Sequence, residues 1–419
     1  MKQGFVAGGL FQDCLPFSLK ESVPKHGIYS TLEEERMAVA FRASMNSVGI
    51  CNPNPAVGAA IYKNRQLVAT GFTQSYGQKH AERMAIESAL AQGVELKNCE
   101  LYVTLEPCSH QGKQPPCADL VASIPWHRIV VGSIDPNPLV KGQGFKKIQD
   151  ALKTTAVQLG NFSEEITAWN YPFFASQKLQ RPVIVAKWAQ TQDGKLARSD
   201  GSSRWISGPA SRAYTHWLRQ KYDVIAVGLN TLLMDRPQLT IRDCGEPRQN
   251  QPLRLVLDLK GRLIDQVEVL EAHELLKNVE AVLVQKERAK DLRRYFQEAE
   301  VKVEVIESQS KTLSALQETS VIQMLGQLRG RPVSSYFVEG GAQTLSLLFQ
   351  ENLVDLAHVF ISPENWEESP YTIQDSPVIN LNLKSDWRSL QSAKIQRENP
   401  DEVDQLLEFL PKSLYQQIF

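Results

Sequence analysis

Two α/β domains in tandem are what this sequence predicts, and three observations predict them. At 419 residues the chain exceeds what one ordinary core fills. In its first half, short β-rich apolar runs alternate with helical stretches after an initial hairpin. In its second half, strands run into glycine-marked breaks and then helices, at Gly228 and at Glu339-Gly340-Gly341. A hydrophobic fraction of 42% and a charged fraction of 22% suit a globular, enzyme-like chain. A net charge of −1 removes the electrostatic case for a nucleic-acid or anionic-membrane partner. No apolar run reaches the length of a membrane span. The opening MKQGFVAGGLFQDC is interrupted at Gln12 and Asp13 before any signal-peptide core forms, so a cytoplasmic location is expected.

Residues 1–30 match no recognisable pattern and stand as an unassigned extension. The first domain is expected over 31–175. Thr31 and Glu34 make a capping box for a helix over 31–48, with Met37, Phe41, Met45 and Val48 as its core stripe. Strands follow near 57–62 and 66–72. A helix over 81–91, stopped by Gly93, precedes strands near 100–105, 127–132 and 155–159. The aromatic, polar stretch 160–182 leads into a second domain expected over 176–419. There, strands are expected from 182 to the turn Asp193-Gly194, at Val224–Val227, at 253–259 and before Glu339. The stretch 283–320 reads as a charged helix, and 365–419 as an atypical tail.

The chemistry concentrates in LEPCSHQGKQPPCAD (105–119). Six cysteines, at 14, 51, 99, 108, 117 and 244, are too few and scattered for a disulfide scaffold. Cys51 and Cys99 read as small buried hydrophobes. Cys108 and Cys117 are separated by eight residues, too far for the usual redox pair, and read as metal ligands. His80 and Glu82 fall at the mouth of the 81–91 helix. The 100–105 strand delivers Cys108 at its C-terminal edge, and Pro115-Pro116 open a helix at Cys117. One His and two Cys fill three tetrahedral positions of Zn²⁺ and leave the fourth for water. Glu82, which is not needed as a ligand, suits a proton carrier. His110 reads as a loop residue, because a fourth protein ligand would leave no room for water. The pattern H-x-E … P-C-x-x-C marks zinc nucleobase deaminases, but here the second Cys comes nine positions on.

That departure points to a family. CNPNPAVGAAI, HAE, TLEPCSH with the long PCSHQGKQPPC loop, and DPNPLVKGQG, in order from 51 to 144, closely resemble the bifunctional riboflavin-biosynthesis deaminase/reductases. The resemblance implies a cytidine-deaminase-like α/β/α domain followed by a dihydrofolate-reductase-like α/β domain. It implies a basic residue for the substrate phosphate at Lys113. Asn54 reads equally as a pyrimidine contact or a turn former.

In the second half, A-x-T-x-DGK, RWISG, R-x-x-x-HWLR and VG-x-NT-x-x-x-D-x-P-x-LT-x-R resemble the family's NADPH-dependent reductase. By position, Ala189, Trp205, Thr231, Asp235, Gly341, Ala342, Gln343 and Thr344 correspond to cofactor contacts. Ser203, Arg219, Leu239, Arg242 and Glu339 correspond to substrate contacts. Thr73, Gln114, Arg236 and Leu259 depart from the family's pattern. Leu259 stands where a hydroxyl meets the adenosine ribose, so the adjacent Lys260 is expected to read the 2′-phosphate.

The implied function is zinc-dependent hydrolytic deamination of 2,5-diamino-6-(5-phosphoribosylamino)pyrimidin-4(3H)-one. NADPH-dependent reduction of the ribosylamino sugar to the ribitylamino product follows. Two alternatives stand beside it: a deaminase with a degenerate reductase domain, and a nucleic-acid-editing deaminase, which the neutral charge disfavours. The partner is then a small pyrimidine ribotide; a homo-oligomer stays open.

Overall fold

The computed structural model describes residues 31–138, 140–160, 162–200, 206–242, 251–366, 368–373, 376, 378–379, 382–397 and 402–419. The chain divides into two compact units, one holding the described residues through Gln180 and the other Arg181–Gln417. The division expected at 175/176 falls inside helix Tyr171–Leu179. The chain breaks instead after that helix, where Gln180 turns into the left-handed region at φ 54°.

In the first unit, α1 (Leu32–Ser44) begins as expected. The Thr31 side chain accepts the Glu34 N–H, and the Glu34 carboxylate accepts the Thr31 N–H. The apolar stripe runs on past the helix, which gives way to a 3₁₀ turn over Met45–Ser47. The sheet order is β2-β1-β3-β4-β5, from β1 (Gly58–Lys63), β2 (Gln66–Phe72), β3 (Glu100–Val103), β4 (Arg128–Val131) and β5 (Ala156–Leu159). β1 pairs antiparallel with β2 and β3, while β3, β4 and β5 run parallel. Helix α1 covers one face, with Arg36 over the Tyr62 ring and bonded to the Tyr102 hydroxyl. It comes so close at Gly58 that a Cβ there would lie 1.8 Å from the Ala40 carbonyl oxygen. On the other face, Ala81, Ala85, Ile86 and Ala89 of α2 (Ala81–Ala91) pack onto Ala59, Ile61, Leu101 and Val103. The result is three layers, with the C-terminal ends of β3 and β4 opening beside the start of α2.

The second unit is built on a sheet ordered β10-β9-β8-β7-β11-β6-β12-β16-β15. Its first seven strands are parallel: β6 (Val183–Thr191), β7 (Val224–Gly228), β8 (Leu253–Leu257), β9 (Ala281–Gln285), β10 (Glu304–Ser308), β11 (Ser335–Glu339) and β12 (Leu356–Ser362). The stretch expected as one charged helix over 283–320 in fact holds the end of β9, a helix over Lys286–Glu298 and then β10. The expected tail is structured too: β13 (Val378–Ile379) and β14 (Asn382–Leu383) pair with each other, and the strands after them join the core. β15 (Trp387–Gln396) and β16 (Val403–Pro411) form a hairpin that extends the sheet antiparallel from β12. Phe409 packs edge-on against Trp188 and Trp387, which fixes the hairpin to the core. β8 ends two residues before the expected limit at 259. There the Asp258 carboxylate accepts the N–H groups of Arg262 and Leu263 and turns the chain. Among the described residues no helix is long and apolar enough to cross a membrane.

Candidate active sites

Three side chains expected at a metal meet in the first unit. His80 is the N-cap of α2 but makes no capping bond with its side chain. Its Nδ1 lies 3.5 Å from the Cys108 sulfur and 3.6 Å from the Cys117 sulfur, and all three ligand atoms fall within 4.8 Å of one another. Tetrahedral zinc with ordinary Zn–S and Zn–N lengths separates such S and N atoms by about 3.6 Å. The donor set and its spacing both fit that ion.

The electrostatics fit as well. A hydrogen bond from Cys117 holds the Cys108 thiol down to about 4 against the effect of burial, with His80 assisting. The same bond and burial push the Cys117 thiol up, and the bond to Cys108 raises His80. Glu82, 3% exposed in the first turn of α2, is pushed up to about 7 by burial and then by the Cys108 charge.

The loop carrying the thiols is tied at its neck: the Cys117 N–H meets the Cys108 sulfur at 3.3 Å, and the Ala118 N–H the Cys108 carbonyl at 3.1 Å. Its outer part leans on the 75–78 turn. Lys113 Nζ sits 4.2 Å from the centre of the Tyr76 ring, and the Gln114 amide donates to the Gly77 carbonyl at 2.9 Å. Gln114, a departure from the family pattern, is thus a clamp between two loops. Thr73 is buried, and its N–H closes onto the Val57 carbonyl. Asn54 sits in a turn, its N–H donated to the Cys51 carbonyl at 2.9 Å.

Two residues here escaped the sequence reading. The buried Glu106 carboxylate accepts the N–H groups of Asp135, Gly142 and Phe145, at 3.1, 2.9 and 3.1 Å, and so shapes the 135–145 loop. Asp135 is raised to about 6, chiefly by burial. Their signals in the sequence are the LEPC and DPNP strings.

In the second unit the expected cofactor residues gather where β7, β8 and β11 end side by side. Thr231 Oγ1 accepts the Gly341 N–H at 3.1 Å, and Asn230 donates to the Gln343 side chain at 3.1 Å. A Cβ on Gly228 would lie 2.2 Å from Thr344 Oγ1, so glycine is what lets these two loops touch. Ala342, Gln343 and Thr344 form the first turn of the helix over Ala342–Gln350. Ala189 lies on β6, in register with Phe360 of β12. Asp235 is exposed at the end of the Leu229–Asp235 helix, and Arg236 caps that helix in the left-handed region at φ 43°. Arg236 therefore departs from the pattern at a position where the backbone favours glycine or asparagine. Leu259 is half-buried against the core. Ser203 and Trp205 lie outside the described residues.

The expected substrate residues also converge, but not as independent contacts. Arg219 grips Glu339 through two bonds, Nε–Oε1 at 2.6 Å and Nη2–Oε2 at 3.1 Å, and donates Nη1 to the Thr240 carbonyl at 2.7 Å. Leu239, buried at φ 54°, turns the chain so that Thr240 reaches Arg219, and Arg242 donates to the Thr240 hydroxyl from an exposed position. Burial raises Glu339, but the Arg219 charge and hydrogen bonds, with Lys187, outweigh it and hold the carboxyl low. Burial lowers Lys187 while Glu339 opposes it. His216 is depressed to about 4 by burial and by the charges of Arg219 and Arg242. Lys187 was also missed; its signal was a lone lysine inside the apolar run VIVAKWA.

Comparison with known proteins finds a deaminase region and a reductase region in this chain. Residues 30–133 match the family model for the cytidine and deoxycytidylate deaminase zinc-binding region, and residues 182–389 that for the RibD C-terminal domain. The chain is 34% identical over 371 residues to riboflavin biosynthesis protein RibD of Aquifex aeolicus, covering 88% of this chain and 96% of that one. RibD of Actinobacillus pleuropneumoniae is 32% identical over 342 residues, covering 82% and 86%. Among solved structures, a diaminohydroxyphosphoribosylaminopyrimidine deaminase/5-amino-6-(5-phosphoribosylamino)uracil reductase of Thermotoga maritima is 32% identical. It superposes with a TM-score of 0.70, covering 90% of this chain and 98% of that one. RibD of Acinetobacter baumannii gives the same TM-score at 26% identity, covering 96% and 99%. Zinc-binding deaminase and reductase regions in one chain set aside a nucleic-acid-editing enzyme. This chain belongs to the RibD family, the bifunctional zinc-dependent deaminases and NADPH-dependent reductases of riboflavin biosynthesis.

Proposed function

We propose that His80, Cys108 and Cys117 hold the zinc of the deaminase and that Glu82 moves its protons. The carrying observation is the three-ligand cluster with a buried, non-ligating carboxyl beside it. Bound zinc supplies a Lewis acid that makes water nucleophilic near neutral pH. With its pKa near 7, Glu82 can take a proton from the attacking water and hand it to the ring and the departing amine. The amino group at C2 of the diaminopyrimidinone ribotide leaves as ammonia and a carbonyl replaces it. Lys113, on the clamped outer loop, is the residue for the substrate phosphate in this reading, and Asn54 that for the pyrimidine.

In the second unit, bound NADPH supplies hydride for C1′ of the ribosylamino sugar. Arg219, committed to Glu339, positions that carboxylate. Arg242 is then the guanidinium placed to meet the ribose 5′-phosphate. Lys187, its proton loosened by burial, is the donor for the ring oxygen as the sugar opens. The two zinc thiols must stay reduced, which fits a cytoplasmic location.

The test is incubation of pure protein with the diaminopyrimidinone ribotide, followed by mass. Without NADPH the amino group should be exchanged for oxygen; with it, hydride and a proton should be gained. Product that stops at the deaminated ribotide despite NADPH would leave a deaminase alone. Metal analysis should give about one zinc per chain, and Cys117→Ser should lose most of it. Full zinc retention in that variant would remove Cys117 from the ligand set.

A further inference from the structure

We infer that Arg262 reads the 2′-phosphate of NADPH and so sets the cofactor preference of the reductase. This rests on the reading of the second unit as an NADPH-dependent reductase and names the residue that makes it so.

The sequence had pointed to Lys260, beside the missing hydroxyl at Leu259. The structure gives that loop a different anchor. Asp258 accepts the backbone N–H groups of Arg262 and Leu263, which folds the loop back toward the neighbouring strand end. Arg262 Nη2 then donates to Asn230 Oδ1 at 3.2 Å, and Asn230 Nδ2 donates to Gln343 Oε1 at 3.1 Å. One hydrogen-bonded chain therefore crosses from the β8 loop to the first turn of the helix that follows Gly341. That turn carries the cofactor residues expected from the sequence.

The charges in this region sort into two kinds. Arg288 is committed to structure, donating to the Gly261 carbonyl at 3.1 Å and pairing with Asp265 at 3.3 Å. Arg262 is oriented by a neutral amide and forms no ion pair among the described residues. Its charge is felt by Asp258 of the same loop, but its side chain donates only to the amide, and a guanidinium oriented in this way is a preorganised receptor for an oxyanion. A ribose 2′-phosphate, with its dianionic oxygens, uses the planar fork, whereas the 2′-hydroxyl of NADH gains nothing from it. Lys260 is exposed and makes no hydrogen bond among the described residues, so its charge adds only a solvent-screened attraction.

The experiment uses the full chain and needs no turnover. Calorimetric titration with adenosine 2′,5′-bisphosphate and with AMP is run beside fluorescence titration with NADPH and with NADH. Arg262→Ala should weaken the bisphosphate and NADPH by about 10- to 100-fold, the range for losing a charge-assisted hydrogen bond. AMP and NADH should be unchanged, which also shows that the site remains folded. Arg262→Lys should fall between, keeping the charge and losing the fork. Lys260→Ala should cost less than about 3-fold. Equal losses for phosphorylated and unphosphorylated ligands, or no loss at Arg262→Ala, overturn the inference while leaving the reductase reading intact. A wild-type chain that binds neither NADPH nor NADH overturns both.

Discussion

Glu82→Gln should fold, keep its zinc and lose deamination by on the order of 10²–10⁴-fold, the usual contribution of a positioned acid–base group. The amide preserves the shape of a side chain that is 3% exposed, so packing at the start of α2 is undisturbed. What it removes is a proton site that burial and the Cys108 charge place at about 7, where both protonation states are populated at neutral pH. The variant should still reduce the already deaminated ribotide with NADPH, which separates a local chemical lesion from general damage. Zinc content and ammonia release measured on one preparation decide the matter. Normal ammonia release would mean that another acid, with Asp135 the next in line, carries the proton.

The reductase unit should be equally sensitive at Arg219–Glu339, for a different physical reason. Removing one partner of a buried ion pair strands the other charge, at a typical cost of about 3–5 kcal/mol against a total stability of ~5–15 kcal/mol. Glu339→Gln would leave Arg219 and Lys187 facing each other without the carboxylate both charges lean on. We expect a large loss of stability in that unit and no measurable reduction. The double variant Arg219→Met/Glu339→Gln should recover much of the stability, because the stranded guanidinium is gone and buried Lys187 can shed its proton, and none of the activity. Denaturation followed by a probe in the reductase unit, together with NADPH oxidation, reads both effects. A single Glu339→Gln variant with wild-type stability and turnover would show the pair to be dispensable.

Local signals made the first unit legible. The Thr31–Glu34 box, the hairpin at 58–72 and the glycine stop after α2 each depend on residues within a few positions of one another. The convergence of His80, Cys108 and Cys117 was legible too, since they are rare residue types presented at element ends. Strand β10 was not, because only Val305 and Ile306 of its five residues are apolar, set between Glu304 and Glu307 directly after a charged helix. The β15–β16 hairpin was missed for the same reason: its alternating polar residues resemble a solvated tail until Phe409 is seen against two tryptophans. The role of Arg219 was misread because its partner lies 120 positions away, and only the sheet brings them together.

The tied neck of the loop between Cys108 and Cys117 has a consequence for how such a protein can change over time. Because the bonds at positions 108, 117 and 118 close the loop at its base, changes at its tip, residues 109–112, are buffered from the sulfurs. Lengthening is also tolerated, since each doubling of a flexible loop costs only about 0.6 kcal/mol. The proposed metal centre and the loop tip that meets the incoming molecule are thereby partly uncoupled. A lineage can explore new substrates in the outer loop while the hydrolytic centre stays as it is, and an engineer can graft segments at the same place.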